Sequence, residues 1–296
     1  DLAVGNSAAN RVYLNNGGTL ATTASWSSTE SDDTRSVTWG DMDGDGDLDL
    51  AVGNYGANQV YLNNGGTLAT TASWSSDEYD NTQSIAWGDL DGDGDLDLAV
   101  GNYYGANRVY LNNGGTLATT ASWNSTETDD TYSVAWADLD GEGDLDLAVG
   151  NYDEPNRVYL NNGGTLATTA SWSSTEWDET FSVAWGDMDG DGDLDLAVGN
   201  WASQANRVYL NNEGTLETSA SWSSTESDET FSVAWGDLDG DGDLDLAVGN
   251  WDATNRIYLN NGGTLATTPS WSSTETDTTY SVAWGDLDGD GALDLA

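Results

Sequence analysis

The chain has no cysteine, no histidine and no lysine in its 296 residues, and only two prolines. With no cysteine, the sequence carries no disulfide argument in either direction. The joint absence of Cys, His and Lys removes most nucleophile and general-base arrangements, so a non-enzymatic protein is expected. Paired carboxylates can act on glycosides, and Asp153 with Glu154 is where such chemistry would be sought. No run of 18 apolar residues occurs, so no membrane insertion is expected. Basic residues are scarce: six arginines face 52 acidic residues, for a net charge of −46. Such a surface repels nucleic-acid phosphates and anionic membranes.

Aromatic residues are plentiful, with 15 Trp and 13 Tyr, which argues against reading the acidic chain as disordered. The dominant pattern is a nine-residue loop, Asp-x-Asp-Gly-Asp-Gly-Asp-Leu-Asp, which occurs six times. The copies span 41–49, 89–97, 138–146, 187–195, 237–245 and 286–294, at intervals of 48 to 50 residues. No unit of that length buries its own apolar face, so the repeats must stack on one another.

Each unit holds four short apolar segments bounded by Gly, Asn or Asp, such as Val233-Ala234-Trp235, Leu246-Ala247-Val248, Ile257-Tyr258-Leu259 and the stretch around Trp271. None has helical periodicity over ten residues, and their composition predicts strands. The Asn-Asn-Gly-Gly after the third segment (Asn15 to Gly18) is a hairpin signal. The expected fold is all-β: one six-bladed β-propeller over 1–296, built of four-stranded antiparallel blades. Closure is expected from the N-terminal strand completing the last blade, although Asp1-Leu2-Ala3 is duplicated at Asp294-Leu295-Ala296. The chain opens inside a repeat, so a mature or trimmed piece of a larger surface or secreted protein or assembly is expected.

Clustered oxygens at this spacing suit Ca²⁺, which takes six to eight oxygen ligands. Carboxylates at positions 1, 3, 5 and 9 and the backbone carbonyl at position 7 can converge on one ion, with Gly at position 6 allowing the turn. The ligand sets are Asp41, Asp43, Asp45, Asp47 and Asp49; then Asp89, Asp91, Asp93, Asp95 and Asp97; then Asp138, Asp140, Glu142, Asp144 and Asp146. The remaining three are Asp187, Asp189, Asp191, Asp193 and Asp195; Asp237, Asp239, Asp241, Asp243 and Asp245; and Asp286, Asp288, Asp290, Ala292 and Asp294. An EF-hand is excluded because Val52, Val100 and Val149 stand where its Glu would. Mg²⁺ prefers to keep several waters, and an ion-free acidic turn would leave its carboxylates repelling one another. One Ca²⁺ per blade, six in all, is expected.

At these residues the chain resembles the FG-GAP/VCBS repeat family, which includes the integrin α-subunit propeller. The matching stretch is Trp-Gly-Asp-Leu-Asp-Gly-Asp-Gly-Asp-Leu-Asp-Leu-Ala-Val-Gly-Asn, followed by Val-Tyr-Leu-Asn-Asn-Gly. The resemblance implies a propeller with Ca²⁺ between the first and second strand of each blade. Glu142 and Ala292 depart from the pattern, the first expected to weaken its site and the second to be harmless.

The acidic loops and hairpins recur almost unchanged, whereas the segments after Gly-Asn and before each first strand vary and belong to the opposite face of a four-stranded blade. The aromatic residues there, Tyr55, Tyr79, Tyr103, Tyr104, Tyr152, Trp177, Trp201 and Trp251, are candidate ligand contacts; exposed aromatics suit a protein or glycan ligand. The tryptophans that recur once per repeat, such as Trp235 on the first segment and Trp222 on the fourth, are expected in the core. The recurrent arginines are expected in structural ion pairs. The leading expectation is an extracellular or cell-surface adhesion or recognition module. A lectin-like module and a purely structural spacer are the alternatives.

Overall fold

The computed structural model describes residues 1–296 and contains strands and turns but no helix. The five repeats that begin at Asp33, Asp80, Thr131, Thr180 and Glu229 each contribute a long first strand, a second strand, a three-residue third strand and a two-residue fourth, joined as an antiparallel meander. The second strand, for instance Asp195–Asn200, is buried at all six residues. Its unbroken Asp-Leu-Ala-Val-Gly-Asn run is the composition of a strand covered on both faces. The first strands carry a β-bulge at one fixed place, between Thr34 and Ser36, Thr82 and Ser84, Thr180 and Ser182, and Thr230 and Ser232. The extra residue is Arg35, Gln83, Phe181 or Phe231.

Two compact units divide the chain: Asp1–Trp136 with Asn161–Thr169, and Ala137–Leu160 with Ala170–Ala296. The first unit opens with a three-stranded sheet of Leu2–Val4, Arg11–Tyr13 and Trp26–Ser27. Its next two repeats merge into one eight-stranded sheet, because Asp49–Gly56 also pairs with Asp80–Gly88 through Tyr55↔Asn81 and Gly56↔Asp80. The second unit contains two four-stranded sheets whose first strands are Thr180–Gly186 and Glu229–Gly236. It ends in the pair Trp284–Gly285 with Asp294–Leu295. Here the pairing differs from the expected completion of the last blade by the N-terminal strand. The C-terminal Asp-Leu copy holds Trp284–Gly285, while Leu2–Val4 pairs with Arg11–Tyr13. The C-terminal copy is connected to Trp284 through the acidic loop itself, so it forms its hairpin locally at little cost in loop closure.

Inside each unit, successive repeats are joined by the recurrent tryptophans, as expected. Trp136 Nε1 donates to Ala86 O at 3.2 Å, and Trp235 Nε1 to Ala184 O at 3.2 Å. A Cβ on Gly88 would lie 2.7 Å from the Trp136 ring, and one on Gly186 2.6 Å from Trp235; the first strands pack closely because that residue has no side chain. On the fourth strands, Trp74 Nε1 donates to Ala118 O at 3.2 Å and Trp222 Nε1 to Ala266 O at 3.3 Å. Their rings meet the next repeat's tyrosine edge-on, Trp74 with Tyr110 and Trp222 with Tyr258, each at 5.2 Å. Those tyrosine hydroxyls donate to Glu78 and Glu226, and burial pushes both well above the ordinary phenol range. Arg108, Arg207 and Arg256 pair with Asp80, Asp178 and Asp228 of the preceding link. Gln59 keeps a neutral version, donating to Asp32 at 2.9 Å.

One hairpin departs from its siblings. Glu213 stands where the other turns have their first glycine, with φ of 51° against 60° to 64° for those glycines. A side chain in the left-handed region costs about 1 kcal/mol or more. Glu213→Gly should therefore raise stability by about 1 kcal/mol in urea unfolding, since the backbone N–H that bonds Asp193 is retained.

Candidate functional site

Each acidic loop is preorganised by its own backbone. In all six copies the position-1 carboxylate accepts the N–H of the position-6 glycine at 3.0 Å, as Asp41 does from Gly46. Gly46 achieves this at φ 94°, which a side chain would resist. In all six the position-9 carboxylate accepts the N–H of position 2, at 2.8 to 2.9 Å. The other oxygen of position 9 reaches the hairpin: Asp97 accepts from Asn112 N at 2.7 Å, and Asp195 from Asn211 N at 2.8 Å. Burial pushes Asp97 and Asp195 up to about 6, against the pull of those N–H donors, and neighbouring loop carboxylates add to the rise.

The carboxylates converge. Oxygens of Asp89, Asp91 and Asp97 lie within 4.8 Å of one another, as do those of Asp138, Asp140 and Asp146, of Asp187, Asp189 and Asp195, and of Asp237, Asp239 and Asp245. In the first loop the set is Asp41, Asp43 and Asp45. In the second to fifth loops the position-5 residue, Asp93, Glu142, Asp191 or Asp241, stands outside this cluster, so the arrangement of Glu142 is that of its aspartate counterparts. Asp41 Oδ1 and Asp138 Oδ1 are buried without a hydrogen-bond partner. A carboxylate oxygen in that position lacks compensation for its lost hydration, and a hard cation among the clustered oxygens would supply it.

Position 7 has a role beyond its backbone carbonyl. Asp47, Asp95 and Asp243 accept the hairpin N–H of Gly65, Gly114 and Gly262, at 2.5 to 2.6 Å. Ala292 has no carboxylate to do so. The hairpins also touch the loop of the preceding repeat: Asn112 Nδ2 donates to Met42 O at 2.7 Å, and Asn260 Nδ2 to Met188 O at 2.6 Å. A Cβ on Gly115 would meet Asp43 at 3.0 Å, and one on Gly263 would meet Asp189 at 2.7 Å. Each of these turns is thus clamped between two acidic loops.

The variable segments lie at the other end of the first strands. In Glu229–Gly236, Gly236 pairs with Asp245 beside the acidic loop while Glu229 pairs with Trp251 at the far end. In the second unit this edge gathers six rings. Phe181 lies 5.4 Å from Trp201 and 5.1 Å from Phe231, Trp201 lies 5.6 Å from Trp251, and Phe231 lies 4.9 Å from Tyr280. Tyr152 joins at 6.0 Å from Phe181. In the first unit, Tyr55, Tyr79, Tyr103 and Tyr104 line a groove of about 600 Å³ together with Asp32 and Asp80. Tyr79 and Tyr104 are 83% and 76% exposed, and Trp177 in the second unit is also exposed. The sequence candidates therefore fall into two sets, an open tyrosine groove and a packed aromatic patch. Phe181, Phe231 and Tyr280 were not among those candidates. Their signal was a position that varies from repeat to repeat, and at Phe181 and Phe231 the bulge sets that residue apart from the regular alternation of the strand.

Strands without helices, meandering four to a sheet and repeated along the chain, define a β-propeller, and six repeats fit six blades. The chain belongs to the FG-GAP-like repeat family, whose matches cover residues 1–52, 41–100, 90–149, 143–198, 190–248 and 237–296. No curated protein matches it. Among solved structures, it is similar to BBS1N in a crystal structure with ARL6DN soaked with lead, at 14% identity and a TM-score of 0.63, covering 99% of this chain and 92% of that one. It is also similar to Sqt1 of Saccharomyces cerevisiae, at 14% identity and a TM-score of 0.63, covering 95% of this chain and 73% of that one. These similarities concern the fold.

Proposed function

We propose that the chain is a non-enzymatic, calcium-stabilised recognition module that binds a protein partner through its variable edge, outside the cell or on its surface. Ca²⁺ would be held by the carboxylates at positions 1, 3, 5 and 9 with the carbonyl at 7, one ion per loop. The buried, unpartnered oxygens of Asp41 and Asp138 support that fit. Bound there, the cation would neutralise carboxylates that folding forces together. Loops of this chemistry are matched to the calcium concentrations found outside cells, which supports the extracellular setting.

The observation that carries the recognition reading is the character of the variable edge. Of the six non-glycine residues with positive φ, five are Tyr104, Asp153, Ala202, Ser203 and Asp252, all in the loops after the second strands. Strained backbone of this kind persists where the surroundings enforce it, and it clusters at functional surfaces. The six-ring patch adjoins three of these loops and offers the aromatic anchors typical of protein interfaces. BBS1N, of the same fold, is in a complex with a protein, which agrees with this reading. A lectin-like reading is favoured by the tyrosine groove, where exposed rings beside Asp80 and Asn81 suit stacking and hydrogen bonding to a sugar.

A panel of secreted and cell-surface proteins and a glycan array, each probed with the whole chain, test these readings. Trp201→Ala combined with Trp251→Ala should reduce protein binding at least about tenfold, the scale of a lost hot spot, at a temperature well below the melting temperature of the variant. Sugar binding lost on Tyr79→Ala but retained in the tryptophan variant would favour the lectin reading. Silence on both panels would leave the structural spacer.

A further inference from the structure

The tyrosine groove of the first unit stands out from the other repeats in its charge. Elsewhere the aspartate ahead of the first strand is neutralised by the arginine that opens the third strand: Arg108 pairs with Asp80, Arg207 with Asp178 and Arg256 with Asp228. In the repeat that begins at Asp33, Gln59 stands in the arginine's place. Its Nε2 gives Asp32 one neutral hydrogen bond, at 2.9 Å. Asp32 thus brings to the groove wall a negative charge with no counterion. Arg35 is engaged by Asp33 at 3.1 Å and does not line the groove.

The groove lies over the seam where two repeats merge into one sheet. Asn81 pairs with Tyr55 on one side and with Tyr103 on the other. Paired positions on neighbouring strands share a face, so the two tyrosines flank Asn81 about 10 Å apart, two strand spacings. Two further rings are fixed beside them. Tyr79 leans over Gly56, where a built Cβ would lie 3.9 Å from its ring. Tyr104 rests 4.0 Å from the Tyr103 ring, its hydroxyl 2.9 Å from that of Tyr103, and its backbone N–H donates to Asp130 at 3.0 Å.

We propose that this groove binds a small cation with a trimethylammonium head, choline being the simplest, seated between Tyr55 and Tyr103 and against Asp32. Ring faces attract a cation within about 6 Å of their centroids, so a group midway between the two tyrosines reaches both. A guanidinium would bring five N–H donors to satisfy. The groove has few acceptors left for them, because Asp80 is held by Arg108 and Asn81 Oδ1 already accepts from Gln83 at 2.8 Å. A trimethylammonium head needs none. A neutral sugar would leave Asp32 uncompensated, and a net charge of −46 works against phosphate-bearing forms of the head group. The site goes beyond the protein-recognition reading, whose anchors are the rings of the second unit.

Isothermal titration calorimetry of the full chain with choline chloride, in millimolar calcium, tests the proposal. The wild type should bind one equivalent. The uncharged isostere, with carbon in place of the quaternary nitrogen, should bind at least about tenfold more weakly, since shape is kept and only the cation–ring attraction is lost. Tyr55→Ala and Tyr79→Ala remove exposed rings and should each weaken choline about fivefold at an unchanged melting temperature. Gln59→Arg gives Asp32 the counterion that Asp80 already has and should weaken choline about tenfold. The absence of choline binding, equal binding of the carbon isostere, or a Gln59→Arg variant that binds like the wild type would overturn the proposal. Sugar binding that is lost on Tyr79→Ala, in a chain that ignores choline, would overturn it too and leave the lectin reading standing.

Discussion

In excess chelator the protein should melt on the order of 10 °C or more below its melting temperature in millimolar calcium. A ligand that binds only the folded state at about 100 times its Kd contributes about 2.7 kcal/mol per site, and this chain repeats the loop six times. Without the ion, the buried oxygens of Asp41 and Asp138 have nothing to accept from. Burial raises Asp97 and Asp195, with neighbouring loop carboxylates adding to the rise, so a negative charge at position 9 is costly without a compensating cation. Scanning calorimetry across a calcium titration measures this directly. The site with Glu142 should fill last, and Glu142→Asp should bring it into step with the others. A melting temperature indifferent to chelator would remove calcium from the account of this fold.

The second large effect is expected at the junction between repeats. Trp222→Ala should cost about 3–5 kcal/mol, the range for deleting a buried tryptophan. Trp222 is 7% exposed, meets Tyr258 edge-on at 5.2 Å and donates to Ala266 O. The same substitution at Trp271, 48% exposed, should cost less than about 1 kcal/mol. Urea unfolding of the two variants side by side separates the junction from the indole itself, since the same atoms are removed in each. Equal losses would mean that the stacked contacts between repeats are not what stabilises the array.

Much of this was legible in the sequence because it is local. The acidic loop closes on itself within nine residues, so the spacing of its carboxylates already implied convergence. Asn-Asn-Gly-Gly specified a hairpin through the φ angles it requires, and Leu-Ala-Val announced a strand covered on both sides. Trp235 and its equivalents could be assigned to packing because one bulky residue per repeat at one fixed place has to be accommodated in every copy, although they lie half-buried at the margin of the core clusters. The arginine pairs were anticipated too, since isolated cations among so many carboxylates find partners.

Other features were not legible, for a reason built into repetition. Asn112 bonds Met42 O, 70 residues earlier, as well as Leu96 O, 16 residues earlier. Because every repeat offers the same carbonyl, nothing in the sequence distinguishes these partners. The same degeneracy hid the clamp of each hairpin between two loops and left open which Asp-Leu-Ala copy would pair with Trp284. It also concealed the contrast between a buried Met42 and an exposed Leu287, two residues at the same position of the repeated loop. The sequence by itself determined the loop, the strand and the repeat, whose causes act over a few residues. Only the tertiary structure decided which copy of each meets which, because that choice depends on packing between segments that are chemically alike.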